Sequence, residues 1–114
     1  MDLVRSILLA IEQCEHGHAP EDLKIEGFSE EQIGHHVYIM GQAGLLEVAD
    51  ATCLADPSPV AIPIAMTWDG HDFLELAREP SRWRLAVDKV TKAGAAMTID
   101  IIKSVLLTLA QQAL

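Results

Sequence analysis

The side chains whose types and spacing come closest to a metal site are Cys14, His16 and His18. Zinc prefers thiolate and imidazole ligands, but structural zinc sites usually take ligand pairs two to four residues apart at both ends of a loop. No second cluster has that spacing, although His35–His36 and His71 stand elsewhere in the chain. Cys14 also falls on the apolar stripe of a predicted helix. We therefore expect neither a metal ion nor another cofactor.

Catalytic chemistry has little support in the residue pattern. Cys14 and Cys53 have no basic neighbours that would activate a thiol, and every glycine stands singly, so there is no glycine-rich phosphate loop. Ser29, Glu31 and His35 share one helix face, but Ser29 is needed as a helix cap. The many carboxylates form no evident pair in an apolar pocket of the kind that acid–base catalysis needs. We expect that the chain is not an enzyme.

The charges of the chain are divided unevenly along its length. Residues 1–79 hold three Lys or Arg and fifteen Asp or Glu, a net charge of −12, whereas residues 80–114 hold five cations and two carboxylates, a net charge of +3. The two regions could attract each other within one molecule or between copies. The alternative interpretation is an ordinary acidic surface that keeps the protein in solution.

The element with the clearest local signals is a helix predicted over residues 29–43. Ser29 and Gln32 fit a capping box, in which each side chain bonds the other residue's free backbone N–H. Gly44 stands where a left-handed C-terminal cap belongs. The outward face of this helix has the mixed, aromatic character of an interface, unless the C-terminal helices of the same chain cover it. It is predicted to bind a partner through Glu31, His35, Tyr38, Ile39 and Gln42.

A β-hairpin is predicted directly after this helix. Apolar residues alternate with other residues over 46–49 and again over 62–67, and a turn-rich tip over 55–59 joins the two runs. A first helix over 2–15 precedes them, with Asp2 as its N-cap, and a similar alternation over 23–26 predicts a further short strand. Helix, strand, proline-bearing tip and strand, in that order, form the core of a winged helix.

Further helices are predicted towards the C-terminus. Thr67 caps a helix that Pro80 interrupts, Ser81 restarts it, and Thr98 caps the last helix. That helix is apolar around roughly half of its circumference, and a helix packed on its own domain needs a stripe only somewhat over about 100° wide. The excess predicts either a contact with a second copy or a helix clamped within its own chain. The residues assigned to the first alternative are Ile102, Val105, Leu106 and Leu109.

DNA binding is the usual function of a winged helix, and it requires cations that neutralise phosphates. The predicted helix over 29–43 contains no Lys or Arg, and the predicted wing over 54–60 contributes an aspartate and no cation. The remaining route to nucleic acid is a basic face after Pro80. Its residues are Arg82, Lys89 and Lys92, and the alternative is a solvated face that pairs with acidic neighbours.

Several segments resemble a bacterial and prophage family known only as a domain of unknown function (number twenty-five thirteen). The resemblance begins with residues 2–5 and 7–12 and continues through residues 27–29, 36–38 and 43–47. It extends through Thr67-Trp68-Asp69-Gly70-His71-Asp72-Phe73-Leu74 and the segment Thr98–Lys103. A second similarity, to bacterial winged-helix regulators, implies the fold. Neither similarity implies an activity or a ligand site.

The sequence thus predicts an α+β, mostly helical, winged helix-turn-helix-like domain with a two- to three-stranded wing and a C-terminal helical extension. Residues 1–79 form its core, and residues 80–114 pack on that core or on a second copy. No apolar run reaches the ~18 residues of a membrane span, and the N-terminus lacks the order of a signal peptide. We expect a cytoplasmic, non-catalytic protein-interaction module that forms a homodimer, with two reduced, buried thiols. The alternative is a DNA-binding regulator.

Overall fold

The protein is described by a computed structural model that covers residues 1–14, 19 and 23–113. Within those residues the fold is α+β and mostly helical, with five helices and one antiparallel hairpin. The elements are α1 (Asp2–Glu12), α2 (Glu30–Gln42), β1 (Leu46–Asp50), β2 (Ala61–Met66), α3 (Trp68–Ala77), α4 (Pro80–Lys92) and α5 (Ile99–Gln112).

Helix α1 supplies five side chains to the core, at the three- and four-residue spacing that its sequence predicts; they are Leu3, Val4, Ile7, Leu8 and Ile11. The prediction that Asp2 is the N-cap is wrong, since Met1 occupies that position. The Asp2 carboxylate instead accepts a hydrogen bond from Trp83 Nε1 at 2.8 Å. This bond joins the first turn of α1 to α4.

No strand forms over residues 23–26, so that prediction is also wrong. Residues 23–25 have no regular structure, and Glu26 and Gly27 form a turn in which Gly27 has a φ of +88°. A backbone bond near this region joins the Ala19 N–H to the carbonyl of Ile64 at 2.9 Å. Within the described residues the sheet therefore has two strands. Of the residues between α1 and α2, the described ones (13, 14, 19 and 23–29) contain no helix.

Both predicted ends of α2 are confirmed. Ser29 Oγ accepts from the Gln32 N–H at 3.1 Å, and Gln32 Oε1 accepts from the Ser29 N–H at 2.8 Å, which completes the capping box. At the other end, Gly44 has a φ of +81°, and the N–H groups of Gly44 and Leu45 bond back to Gly41 and Met40. This pair of bonds is a Schellman motif, which turns the chain directly into β1.

The hairpin pairs Leu46 with Met66 at its base and Asp50 with Ala61 towards its tip, and a bulge lies opposite Glu47 and Val48. Its inner face packs tightly on α2. A Cβ added to Gly41 would lie 2.5 Å from Val48 Cγ2, so only glycine allows this approach. Gly41 is therefore a site of close helix-on-strand packing.

The N-caps predicted for the last three helices are confirmed for α3 and α5 and wrong for α4. Thr67 Oγ1 accepts from the Gly70 N–H at 3.0 Å, and Thr98 Oγ1 accepts from the Ile101 N–H at 3.2 Å. The start predicted at Ser81 is wrong by one residue, because Pro80 is the first residue of α4. Glu79 is its cap and accepts from the Ser81 and Arg82 N–H groups, which lowers the pKa of the Glu79 carboxyl.

Candidate protein-interaction surfaces

The outward face of α2 carries a row of polar side chains three and four residues apart. Tyr38 stacks on the His35 ring with centroids 6.5 Å apart and an interplanar angle of 11°. Gln42 Nε2 donates to Tyr38 Oη at 3.3 Å. Glu31, Ile39 and Gln42 are exposed, whereas His35 and Tyr38 are half-buried. All five predicted partner-binding residues thus lie on the outward side of the helix.

His35 ties this face to the loop of the hairpin. Its Nδ1 lies 2.8 Å from the carbonyl oxygen of Pro59. A carbonyl can only accept, so Nδ1 carries the proton and donates. The neighbouring His36 makes a similar contact within α2, with Nδ1 2.9 Å from the Gln32 carbonyl. This hydrogen bond holds Pro59, in the loop of the hairpin, beside α2.

The outer face of the hairpin leaves large apolar side chains exposed. Ile62 pairs with Ala49 on this face, and Ile64 lies at the bulge; each isoleucine is 45% exposed. The small residues Ala61 and Pro63 turn inward instead. Alternation in the sequence identifies two faces of a strand and does not say which one is covered. The structure shows that Ala61 and Pro63 lie on the covered face of β2 and that Ile62 and Ile64 lie on the open face.

Trp68 is the most exposed aromatic side chain of the described residues, at 80%. It is the first residue of α3, directly after the Thr67 cap. Asp69 follows it and Asp72 lies one turn further on, and both are exposed. Sequence reasoning missed this residue as a site. The sequence did contain a signal for its exposure: Trp68 directly follows the capping residue Thr67, so no earlier turn of the same helix can cover its side chain.

Helix α5 corrects the predicted oligomer interface. Ile102 and Leu106 are fully buried in the core of their own chain, so a second copy cannot contact them while α5 stays in place. Val105 and Leu109 are half-buried at the seam between α5 and α4. Two of the four predicted interface residues, Ile102 and Leu106, are thus core residues. The other two, Val105 and Leu109, lie at the edge of a surface formed by α4 and α5 together.

That surface is the α4–α5 groove, which we define by Arg82, Leu85, Lys89, Val105 and Leu109. Two depressions share Leu109: one of about 400 Å³ is lined by Arg82 and Leu85, and one of about 200 Å³ by Lys89 and Val105. Leu85 is 47% exposed. The groove therefore has an apolar floor with Arg82 and Lys89 at its edges, and the Glu79 carboxylate also lines the larger depression.

The predicted basic face of α4 is less continuous than its sequence suggests. Lys92 lies 3.3 Å from the carboxylate of Asp88, one turn earlier. Arg82 is half-buried at the edge of the groove, and Lys89 is exposed. Such a surface pair contributes little to stability, but it does partly neutralise the face that would approach a phosphate backbone.

A third depression, of about 340 Å³, lies between α1 and α4 and contains four charged groups. Two of them already have structural partners. Asp2 accepts from Trp83, and Arg5 donates from Nε to the Ala77 carbonyl at 2.7 Å and from Nη2 to the Arg78 carbonyl at 2.9 Å. Arg5 thereby satisfies carbonyls at the C-terminal end of α3. The hydrogen bonds of this depression serve to join helices.

The sequence of this chain matches one protein family and an uncharacterised bacterial relative. The family model described as "Hypothetical protein (DUF2513)" matches residues 1–96. The chain belongs to the DUF2513 family. A relative in Haemophilus influenzae, named "Uncharacterized protein", is 32% identical over 114 residues, which cover 99% of this chain and 95% of that protein. No solved structure matches the chain.

The DUF2513 match ends at Ala96, between α4 and α5. It includes α2, the hairpin, Trp68 and the α4 side of the groove. The α5 side is included in the alignment with the H. influenzae relative. The α4–α5 groove is therefore built partly from residues that the DUF2513 model describes and partly from residues beyond it.

The described part of this DUF2513 protein contains no group of three or more His, Cys, Asp or Glu side chains placed to hold a metal ion. His16 and His18, which the sequence placed near Cys14, lie outside the described residues. Cys14 is half-buried and Cys53 is exposed, so the expectation of two buried thiols is wrong for Cys53. None of the helices in the described ranges is long and apolar enough to span a membrane.

Proposed function

We propose that this chain is a non-catalytic, winged-helix-like protein-interaction module of the bacterial cytoplasm that associates with a second copy. The packing of α2 on both strands and the Gly44 turn into β1 support the winged-helix comparison. Between α1 and α2 the described residues contain no helix, so the comparison rests on α2 and the hairpin. In this proposal α2 and the hairpin correspond to the second helix and the wing of a winged helix.

One observation carries the proposal: the surface that a winged helix would offer to DNA is apolar and anionic here. Residues 25–77 contain nine Asp or Glu and no Lys or Arg. The same stretch exposes Ile39, Ile62, Ile64 and Trp68. Exposed apolar side chains gain free energy when a protein partner covers them, whereas carboxylates repel phosphates. This combination favours a protein partner over nucleic acid.

Self-association is tested by light scattering over a range of concentrations up to high micromolar. The expected result is a mass that rises from one chain to two as the protein is concentrated. Raised salt should weaken the association, because opposite charges on the two regions of the chain are screened. A mass of one chain at the highest concentration would remove the self-association claim.

DNA binding is the second candidate, and the observation that favours it is the presence of Arg82, Lys89 and Lys92 on α4. Fluorescence anisotropy of a labelled mixed-sequence duplex separates the two functions. The module function predicts no change in anisotropy even at low salt. Binding with a steep salt dependence, abolished by Lys89→Glu with Lys92→Glu, would support the regulator instead, since each neutralised phosphate steepens that dependence.

A further inference from the structure

We propose that Trp68 of one copy inserts into the α4–α5 groove of a second copy, and that the same contact is made in the opposite direction. The proposal rests on the self-association stated above and names the surfaces that meet. It replaces an interface through the apolar stripe of α5, whose central residues Ile102 and Leu106 are core.

The inserted side chain is unusual for its exposure. Trp68 is 80% exposed, although tryptophan carries the largest apolar surface of any side chain. Tryptophan is enriched among the residues that dominate binding energy, typically where it fills a pocket on the partner. As the first residue of α3, Trp68 extends from a helix end that the Thr67 cap fixes in place. Its backbone is thus already ordered before binding.

The receiving surface has a matching size and chemistry. The larger depression of the α4–α5 groove measures about 400 Å³, and Leu85 and Leu109 line it. Arg82 stands at its edge, where a guanidinium can lie over an indole ring. The depression is open to solvent in the single chain, with Leu85 47% exposed. This depression has room for an aromatic side chain, and none of the residues that line it is aromatic.

Charge selects this pairing over a groove-to-groove dimer. Two grooves facing each other would bring Arg82 and Lys89 against their own copies, and like charges across an interface are unfavourable. The neighbours of Trp68 are Asp69 and Asp72, so insertion brings carboxylates towards Arg82 and Lys89. The Glu79 carboxylate also lines the larger depression, but it already accepts hydrogen bonds from the backbone N–H groups of Ser81 and Arg82. The chain itself therefore carries both complementary halves, which points to a second copy as the partner.

Two such contacts can close a dimer. A two-fold axis brings patch A of one copy to patch B of the other and the reverse at the same time, whereas the same contact made in one direction only would build an open chain. Each copy contributes one Trp68 and one groove, so both sets are used and nothing is left to recruit a third chain. The expected assembly has a mass of two chains and does not grow beyond it.

Tryptophan fluorescence tests the insertion directly. Trp83 is buried and donates Nε1 to Asp2, so a change of emission on association reports on Trp68. Concentrating the protein is expected to shift the emission to shorter wavelength in step with the scattering mass. Trp68→Ala is expected to leave one chain at high micromolar concentration. Leu54→Ala is the matched control, because Leu54 is another strongly exposed apolar residue outside the proposed contact.

Charge reversal separates the proposed contact from other dimers. One variant carries Arg82→Glu with Lys89→Glu, and the other carries Asp72→Lys. Each alone is expected to weaken association about tenfold or more, and a mixture of the two should restore a dimer with one chain of each kind, since one contact is native and the other is reversed. Circular dichroism establishes that each variant is folded.

The outcomes distinguish the two proposals. A wild-type mass of one chain overturns both self-association and the insertion. A wild-type dimer that Trp68→Ala leaves intact overturns the insertion alone, as does a mixture of the charge variants that stays monomeric. A mass that keeps growing with concentration overturns the closed, reciprocal arrangement.

Discussion

At the scale of single residues, Gly70 shows how one missing side chain positions an element. It is buried in the first turn of α3, where an added Cβ would overlap the Leu45 carbonyl oxygen and lie 2.7 Å from Met66 Cγ. A backbone carbonyl cannot move aside as a flexible side chain can. Gly70 therefore sets how closely α3 packs on the start of β1.

We predict that Gly70→Ala lowers the free energy of unfolding by about 1–3 kcal/mol, the usual cost of overpacking, despite the better helix propensity of alanine. Urea denaturation measures it. Gly34→Ala is the matched control in α2, since its Cβ would meet only the Val60 side chain, at 3.2 Å. Equal stability of Gly70→Ala and the wild type would contradict the close approach.

Glu12 links the end of α1 to the end of α3 through Arg78. The guanidinium meets the carboxylate with two nitrogens and also contacts Glu75 Oε1 at 2.8 Å. The hydrogen bonds from Arg78 lower the pKa of the Glu12 carboxyl below its usual value of 4.5, and burial opposes them. Because the folded pKa is depressed, this contribution to stability is present above the unfolded pKa and is lost as pH falls through the folded one.

We predict that Glu12→Gln is less stable than the wild type at neutral pH, by about 1 kcal/mol or less because the pair is partly exposed. The difference should shrink as the pH falls below 4.5, where the wild-type carboxyl also becomes protonated. Urea denaturation across that pH range measures it. In an Arg78→Gln background, Glu12→Gln should have no such pH-dependent effect, and a persistent one would assign it to another group.

At the scale of elements, Thr67 connects two helix ends. Its hydroxyl donates to the carbonyl of Gly44, at the C-terminal turn of α2, and accepts from the N–H of Gly70 in α3. The Thr67 N–H also donates to the Leu45 carbonyl at 3.1 Å. One residue thus fixes the start of α3 against the turn that leads into β1.

We predict that Thr67→Ala costs about 1–2 kcal/mol of unfolding free energy, since it removes a cap and leaves a part-buried carbonyl without its partner. Thr67→Ser keeps the hydroxyl and should retain most of that stability. Thermal denaturation of the two variants side by side measures the difference. Equal losses in both would assign the effect to the methyl group and contradict the capping argument.

At the scale of the whole molecule, α5 completes the core. Ile102 and Leu106 have no exposed surface, and α5 packs on both α3 and α4. Burial of each such side chain contributes roughly 1.5–3 kcal/mol, a large share of the about 5–15 kcal/mol that holds a domain folded. The five helices and the hairpin therefore share one core in the described part of the chain.

We predict that a chain ending at residue 97 loses cooperative thermal unfolding or aggregates, because it exposes the surfaces of α3 and α4 that α5 covers. A chain ending at Gln111 is the control and should unfold near the wild-type temperature, since residues 112 and 113 are exposed. Circular dichroism during heating measures both. A stable chain of residues 1–97 would contradict a single core and would make α5 an appendage.

The sequence by itself determined the local features: the capping box at Ser29, the Gly44 turn, the Thr67 and Thr98 caps and the hairpin. The caps and the Gly44 turn could be predicted because each depends on bonds between residues a few positions apart. The hairpin could be predicted because two alternating runs flank a turn-rich tip. The charge division between residues 1–79 and 80–114 was also fully readable, and it underlies both proposals.

Only the tertiary structure decided which apolar residues are covered. The alternation of β2 left open that Ile62 faces solvent, and the apolar stripe of α5 left open that Ile102 is core while Leu109 lines a groove. Burial depends on which distant elements pack on a face. Leu109 lies beside α4 only because α4 and α5 pack against each other in the tertiary structure. The exposure of Trp68 could not be predicted from the sequence for the same reason, because it depends on no distant element in the described part of the chain packing on that side chain.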